Sequence, residues 1–441
     1  MWHCNCSNVS HIRALNPLEI SPSDSAKDRP ASHFDKEIRM TDVIVVDEVT
    51  RTRTPDGVRY ECRVSGLGPS HPLRFDVIAA SHTPARSDDW VLLSLLMPAM
   101  QTGRDLRIDG RISPLLLYAA RTDLQFALRR YDPSLSLVRI DADLCLDPAP
   151  PRNGVRIGTG FSAGIDSFAA IGSFEAAGLV PALAVTDVFT FNVGAIGVGR
   201  SPHVMRAFRL MLARLDEFAA LTGRTAHAVD SNLQLFYTPL RNLDFVRTHT
   251  MRNMAAASLF QAEIDHYLYA SAYSYDEITI DSAATMANFD PILLPLIAPE
   301  GMRFHSANAG MNRIEKTRVV ARDEIAQRML DVCVAPAARR AEAISQRRNC
   351  SRCWKCYRTM VTLDALGELG SFARVFDVDH YHERTADILT AVKKKGTKGS
   401  VPDRAAYDCY VLAKSAAASG LSVVQAVGGP GGGPDRPAPN D

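Results

Sequence analysis

Residues 155–161 form an apolar run that stops at Ser162-Ala163-Gly164-Ile165-Asp166-Ser167. A helical pattern carrying Phe168, Ala169, Ile171 and Phe174 follows at once. The stretch reads as a strand, a tight turn of small residues and a helix N-terminus. That geometry makes an anion site, because first-turn N–H groups lack helical partners and the helix dipole adds partial positive charge. Small side chains at Ser162, Ala163 and Gly164 let phosphate oxygens approach, and the hydroxyls of Ser162 and Ser167 can donate. The plainer alternative is an ordinary strand–turn–helix with a capping Asp166.

From residue 154 strand and helix patterns alternate, so an α/β fold with a parallel sheet and right-handed crossovers is expected. Strands are expected over 179–191, 225–229, 266–272 and 302–306, and helices over 203–221, 251–263 and 314–329. Ligands in such sheets bind at the carboxyl ends of strands, where strand order reverses. Asn192 opens a glycine-rich stretch over 192–199 that suits either a cover over a ligand or a long turn. Asp230 and Asn232 end the third strand, and His249, Arg252 and Asn253 stand at a helix start. Arg313 and Lys316 share one face of a helix at its N-terminal end, where cations are unfavourable without an anion nearby. The alternative there is a surface pair with Glu315 or Glu324.

Cys350, Cys353 and Cys356 are spaced C-x2-C-x2-C, with Cys333 upstream. Four thiolates suit tetrahedral Zn²⁺ and leave no open position for catalysis. Cys409 is the other candidate for fourth ligand, and an iron–sulfur cluster the other candidate occupant. Arg358 follows the cluster and points either to the site or over the metal.

Ahead of these elements, residues 40–148 read as a small, separate α+β domain. Its strands are expected over 42–49, 58–64, 73–78 and 135–140, with helices over 88–100 and 114–131. It carries no catalytic constellation, and a proline-rich joint at 147–153 follows it. Residues 1–39 read as a disordered extension, 376–425 as a helical C-terminal region and 426–441 as a Gly/Pro-rich disordered tail. Lys plus Arg is 50 and Asp plus Glu is 49, so nothing demands a polyanionic partner, and RNA is not expected. The longest apolar segment, 90–100, is too short to span a bilayer, and no signal-peptide core is present, so a cytoplasmic location is expected.

The loop over 162–167 resembles the S-G-G-x-D-S loop of the PP-loop ATP pyrophosphatases. These include asparagine, GMP and NAD synthetases, tRNA thiolases and 7-cyano-7-deazaguanine synthase. Ala163 replaces the first glycine of the pattern, which fits if its φ is below zero. The cysteine cluster behind such a loop is similar to that of the deazaguanine synthases, where it is structural zinc. The resemblance covers roughly 154–370. It implies a HUP/Rossmann-like PP-loop domain over 154–375 with a Cys4 zinc knuckle, using ATP and Mg²⁺. Phe161, Ser162, Ala163, Gly164, Ile165, Asp166 and Ser167 would hold phosphates, with Asn192, Asp230 and Arg252 at the nucleotide. Asp166, Ser167, Arg313 and Lys316 would serve catalysis, and Cys333, Cys350, Cys353 and Cys356 the zinc. The implied reaction is AMP- and pyrophosphate-forming ligation of a small-molecule acceptor with ammonia or an amine, in a homodimer. A sulfurtransferase and a non-catalytic nucleotide- or RNA-binding module are the alternatives.

Overall fold

Ten strands pair into one continuous sheet, in the order β10-β9-β6-β7-β8-β3-β2-β1-β4-β5. They are β1 (Val43–Thr54), β2 (Gly57–Ser65), β3 (Leu73–Ile78), β4 (Asp105–Ile112), β5 (Ile140–Leu144), β6 (Ile157–Gly160), β7 (Asp187–Asn192), β8 (Thr225–Ser231), β9 (His266–Ala270) and β10 (Arg303–Ala307). The computed structural model describes residues 43–68, 71–79, 81–147, 154–176, 184–240, 243–280, 285–334 and 348–419. The described residues all fall in one compact unit, residues 40–441. The expected extension at 1–39, the tail at 426–441 and most of the joint at 147–153 lie outside the described residues.

The five strands from β10 to β8 are parallel, as the alternating pattern predicted. β6 lies in their middle. The chain leaves it toward β7 and β8 on one side, then crosses to β9 and β10 on the other. Strand order therefore reverses beside β6, which opens a crevice at its carboxyl end.

Residues 43–144 extend this sheet. β3 pairs antiparallel with β8, Phe75 opposite Ser231 and Ile78 opposite Ala228. Asn232 locks the seam: its side chain accepts from the Arg74 N–H (2.8 Å) and donates to the Pro72 carbonyl (2.8 Å). This half follows the alternation of a sheet wet on one face. Val58, Tyr60, Cys62 and Val64 of β2 point inward. Arg59 and Arg63 point outward and pair with Asp76 and Asp47 at 2.6 and 2.7 Å.

The inward face is covered by α1 (Asp89–Thr102), buried from Asp89 to Met100 and stopped by Gly103 in the left-handed region. Trp90 meets Phe75 and Tyr60 edge-on. The expected helix over 114–131 is two helices, α2 (Pro114–Arg121) and α3 (Asp123–Tyr131), because Thr122 leaves helical geometry. The last strand of this region is β5 at Ile140–Leu144, later than the expected 135–140.

In the parallel half α4 (Ile165–Ala176) and α5 (Pro202–Thr222) cover one face of the sheet. A short α6 (Gln234–Tyr237), α7 (Phe245–Ser258) and α8 (Asp290–Leu296) belong to the apolar core on the other. α7 packs on α1, so one core runs beneath both halves of the sheet. α7 starts at Phe245 rather than 251, since Asp244 caps the Arg247 N–H. The expected helix over 314–329 is α9 (Arg313–Ala321) and α10 (Glu324–Met329), because the Asp323 carboxylate starts a second helix. After α11 (Trp354–Ala365) come α12 (Val378–Glu383), α13 (Thr385–Thr397) and α14 (Val401–Ala418), the helical C-terminal region. No helix among the described residues is long and apolar enough to cross a membrane.

Candidate functional site

A cleft of about 620 Å³ opens where the loops after β6 and β7 meet α5, α9 and α11. Its floor is the turn read first in the sequence. The Phe161 N–H reaches the Phe189 carbonyl (2.7 Å), which fixes where the turn begins. Ala163 follows with φ of +58°, so the expected negative φ is wrong. The backbone keeps the left-handed bend that a glycine would supply, and a buried methyl group accepts the strain. The Ala163 carbonyl accepts from the Asp331 N–H (2.7 Å), which clamps this shape.

The turn then opens α4. The Gly164 N–H donates to Ser162 Oγ (3.3 Å), and Ser167 Oγ donates back to the Gly164 carbonyl (3.0 Å). The N–H groups of Ile165, Asp166 and Ser167 have no acceptor among the described residues. They are the orphan donors of a helix N-terminus.

Cations line the facing walls. Arg313, on α9, pairs with Asp166 at 3.0 Å. Glu315 does not pair with it, but closes a capping box with Asn312. Lys316, three residues after Arg313, does not itself line the cleft: it is 1 % exposed, donates to the Ser271 carbonyl (2.6 Å) and stands 3.9 Å from Asp166. Burial, and then the charge of Arg313, pull its ammonium down to about 8 against the opposing pull of Asp166. From α11, Lys355 and Arg358 line the cleft. Burial and then Arg313 push Arg358 down to about 10, although Asp403 lies 3.6 Å away. From α5, Arg206 and Arg214 line the other side, and Arg214 pairs with Asp331 at 2.6 Å. Ala195, Ile196, Ala207 and Met211 make that end partly apolar.

Nothing local in the sequence singles out Lys355. It sits between two cysteines already assigned to a metal, and its neighbours absorbed the meaning of the motif. Arg358, left between two roles, lines the cleft and also lies 5.1 Å from the Trp354 ring.

Cys333, Cys350, Cys353 and Cys356 form one cluster, with their sulfurs all within 4.8 Å of one another. Tetrahedral zinc–thiolate geometry puts sulfurs about 3.8 Å apart. Here Cys353 and Cys356 are 3.4 Å apart, and Cys350 and Cys356 3.9 Å. Ser351 turns the backbone with φ of +54°, which aims Cys350 and Cys353 at one point. The donor set fits a metal ion such as zinc. Cys409 packs elsewhere, against Ile314 and Ala413, so the fourth position falls to Cys333. Cys333 also lines the cleft, so metal centre and cleft share a wall.

The remaining candidates lie along neighbouring strand ends. Asn192 Nδ2 donates to Asp230 Oδ1 (2.7 Å), and Arg200 Nη1 reaches Asp230 Oδ2 (2.7 Å). Asp230 thus ties both ends of the glycine-rich loop 193–199. His249 and Asn253 both reach the Tyr269 hydroxyl, at 2.8 and 3.1 Å. Burial pushes the His249 imidazole down to about 4, which keeps it neutral. Asn232 serves the sheet seam. Arg252 faces a pocket other than this cleft. Compared with protein-family models, curated proteins and solved structures, the chain matches none of them.

Proposed function

We propose that this chain is an ATP-dependent ligase of the PP-loop ATP pyrophosphatase type, which adenylates a small-molecule acceptor. One observation carries the reading. A helix N-terminus with unfilled donors opens into a cleft whose cations, Arg313, Lys355 and Arg358, outnumber the carboxylates facing them. Such an arrangement favours a polyanion, and the partly apolar end beside Ile196 and Met211 suits a base.

In this reading the acceptor's carboxylate or amide oxygen attacks the α-phosphorus. The bond from that phosphorus to the bridging oxygen breaks, and pyrophosphate leaves with the electron pair. Ammonia or an amine then attacks the adenylated carbon, AMP departs and the nitrogen loses a proton. The N–H groups of Ile165, Asp166 and Ser167 and the hydroxyl of Ser162 hold phosphate oxygens. Arg313 and Lys316 stabilise the charge that collects on pyrophosphate, and Lys355 and Arg358 add to it. Catalysis of this kind is positioning plus electrostatic stabilisation. Asp166, which pairs with Arg313 at 3.0 Å, would have to exchange that partner to help hold Mg²⁺, which would neutralise phosphate charge. Asp331 is occupied by Arg214 and the Cys333 N–H. The metal centre is structural in this scheme.

The sulfurtransferase alternative needs a reactive cysteine pair near the cleft. Among the described residues outside the cluster, Cys62, Cys145 and Cys409 are each buried at separate places in the fold. The test is product analysis with ATP, Mg²⁺, ammonium and a pool of small acids including 7-carboxy-7-deazaguanine. Acceptor-dependent AMP and pyrophosphate are expected, and ADP with phosphate would overturn the reading.

A further inference from the structure

The glycine-rich loop 193–199 has two sides. Ala195 and Ile196 line the main cleft. Gly194 and Val198 line a second pocket of about 310 Å³, whose far wall is Tyr237, Phe245 and Arg252. Gly194 has φ of +118°, and a Cβ there would lie 2.7 Å from Arg252 Nη1. The loop therefore crosses directly over this guanidinium, and only glycine permits the crossing.

Arg252 is 3 % exposed. Nη2 donates to the Leu243 carbonyl (2.8 Å) and Nη1 to the Val193 carbonyl (3.4 Å). Its Nε–H has no acceptor among the described residues. No carboxylate among the described residues pairs with it; Asp244 lines the pocket but instead caps α7 through the Arg247 N–H. The guanidinium lies 4.0 Å from the Tyr237 ring centroid and 5.6 Å from that of Phe245. Burial pulls the guanidinium below its usual range, and Asp244 acts on it only through its charge, without a direct pair. A buried charge with no directly paired carboxylate is costly, and two carbonyls with two ring faces offset only part of that cost. The planar fork of arginine matches a carboxylate, and aromatic walls match a planar ring.

We propose that this second pocket binds a small aromatic acid, with its carboxylate on Arg252 and its ring against Tyr237 and Phe245. The site is distinct from the nucleotide cleft and shares the loop 193–199 with it. A ligand there bears on the backbone that carries Ala195 and Ile196.

Benzoate is the probe, titrated against the full chain by calorimetry without ATP, with benzamide as its neutral counterpart. Saturable benzoate binding is expected. Benzamide, or benzoate with Arg252→Met, should bind roughly 10- to 100-fold more weakly, as loss of a charge-assisted pair requires. ATP affinity is measured beside it and should survive the change. Val198→Trp fills the pocket mouth from an exposed position and should abolish benzoate binding in a folded protein; it decides the matter if Arg252→Met fails to fold. Absence of benzoate binding, equal binding of benzamide, or benzoate binding retained in either folded variant would overturn the proposal. None of these outcomes depends on whether the main cleft adenylates anything.

Discussion

Asp166 and Arg313 meet at 3.0 Å across the floor of the cleft, a carboxylate from the first turn of one helix against a guanidinium from the first turn of another. Arg313 is otherwise surrounded by like charge, since it depresses the proton affinity of Lys316, Lys355 and Arg358. Asp166 is therefore the counterweight of a cationic cluster.

Asp166→Asn removes that counterweight. Metal-free pyrophosphate should bind about threefold to tenfold more tightly, because one nearby negative charge is gone. Mg²⁺ should no longer improve nucleotide binding, and acceptor-dependent AMP formation should fall at least a hundredfold, on the order seen when one electrostatic group is lost. Calorimetry with and without Mg²⁺ reads the first two effects. Unchanged Mg²⁺ dependence would remove Asp166 from the metal role.

Lys316 sets a pH dependence. Its folded pKa, about 8, lies below its ordinary value of 10.5. The folded state thus binds fewer protons than the unfolded one between those values. The cost of keeping Lys316 charged is fully present below pH 8 and fades as pH rises toward 10.5. Lys316→Met should stabilise the protein at pH 7 by up to roughly 3 kcal/mol, less whatever is lost at the Ser271 carbonyl, and by nothing near pH 10.5. Pyrophosphate affinity in the wild type should decline as pH passes 8, and should decline less in the variant, where Lys355 is the remaining cation with lowered proton affinity. Urea melts and binding at pH 7 and 9 test both.

Chelation should reach the cleft through α11. Lys355 lies between Cys353 and Cys356, and Arg358 two residues beyond, so a metal held by the cluster would fix the turn that carries both cations. Removing zinc, or changing Cys353→Ser, should weaken nucleotide binding about tenfold and cost about 4 kcal/mol of stability if zinc is present a thousandfold above its Kd. Elemental analysis, thermal melts and nucleotide titration check this together. Equal nucleotide affinity with and without metal would show that the cluster does not hold Lys355 and Arg358 in place.

Ala163 offers a backbone test. Ala163→Gly relieves about 1 kcal/mol of left-handed strain but loses a buried methyl and adds unfolded-state entropy of similar size. Its stability should stay within about 1 kcal/mol of wild type by these opposing terms. Ala163→Val adds bulk to a fully buried site at the same φ and should cost about 3 kcal/mol or more.

A chain begun at residue 154 should not fold alone. It would bare the β8 edge that β3 covers and the α7 face that α1 covers. Light scattering and circular dichroism on this fragment should report aggregation. A monomeric fragment with native helix content would make residues 43–147 a detachable module.

The local features were legible. The turn over 162–167 shows in sequence because strand, small residues and helix are contiguous, and the cysteine cluster because its spacing is chemical. The choice of Cys333 over Cys409 needed the fold, since nothing local separates two lone cysteines. α7 begins earlier than its apolar pattern indicated because Thr248 and Thr250 are buried polar residues that a hydrophobic count leaves out. Asn232 looked like a strand-end ligand and instead closes a sheet seam, a role fixed by residues far away in the chain. The charge of Arg252 at a helix start shows in sequence, but only burial and the loop above it show which pocket it serves.

The β3–β8 seam also orders events during synthesis. Arg74 emerges 158 residues before Asn232, the side chain that receives its N–H. Until then the hairpin of β1 and β2 carries an open third strand, and contacts of such long range form slowly. A ribosome stalled between the two would hold a sticky, half-built sheet. Chaperone demand should therefore peak in that window and fall once β8 has left the exit tunnel.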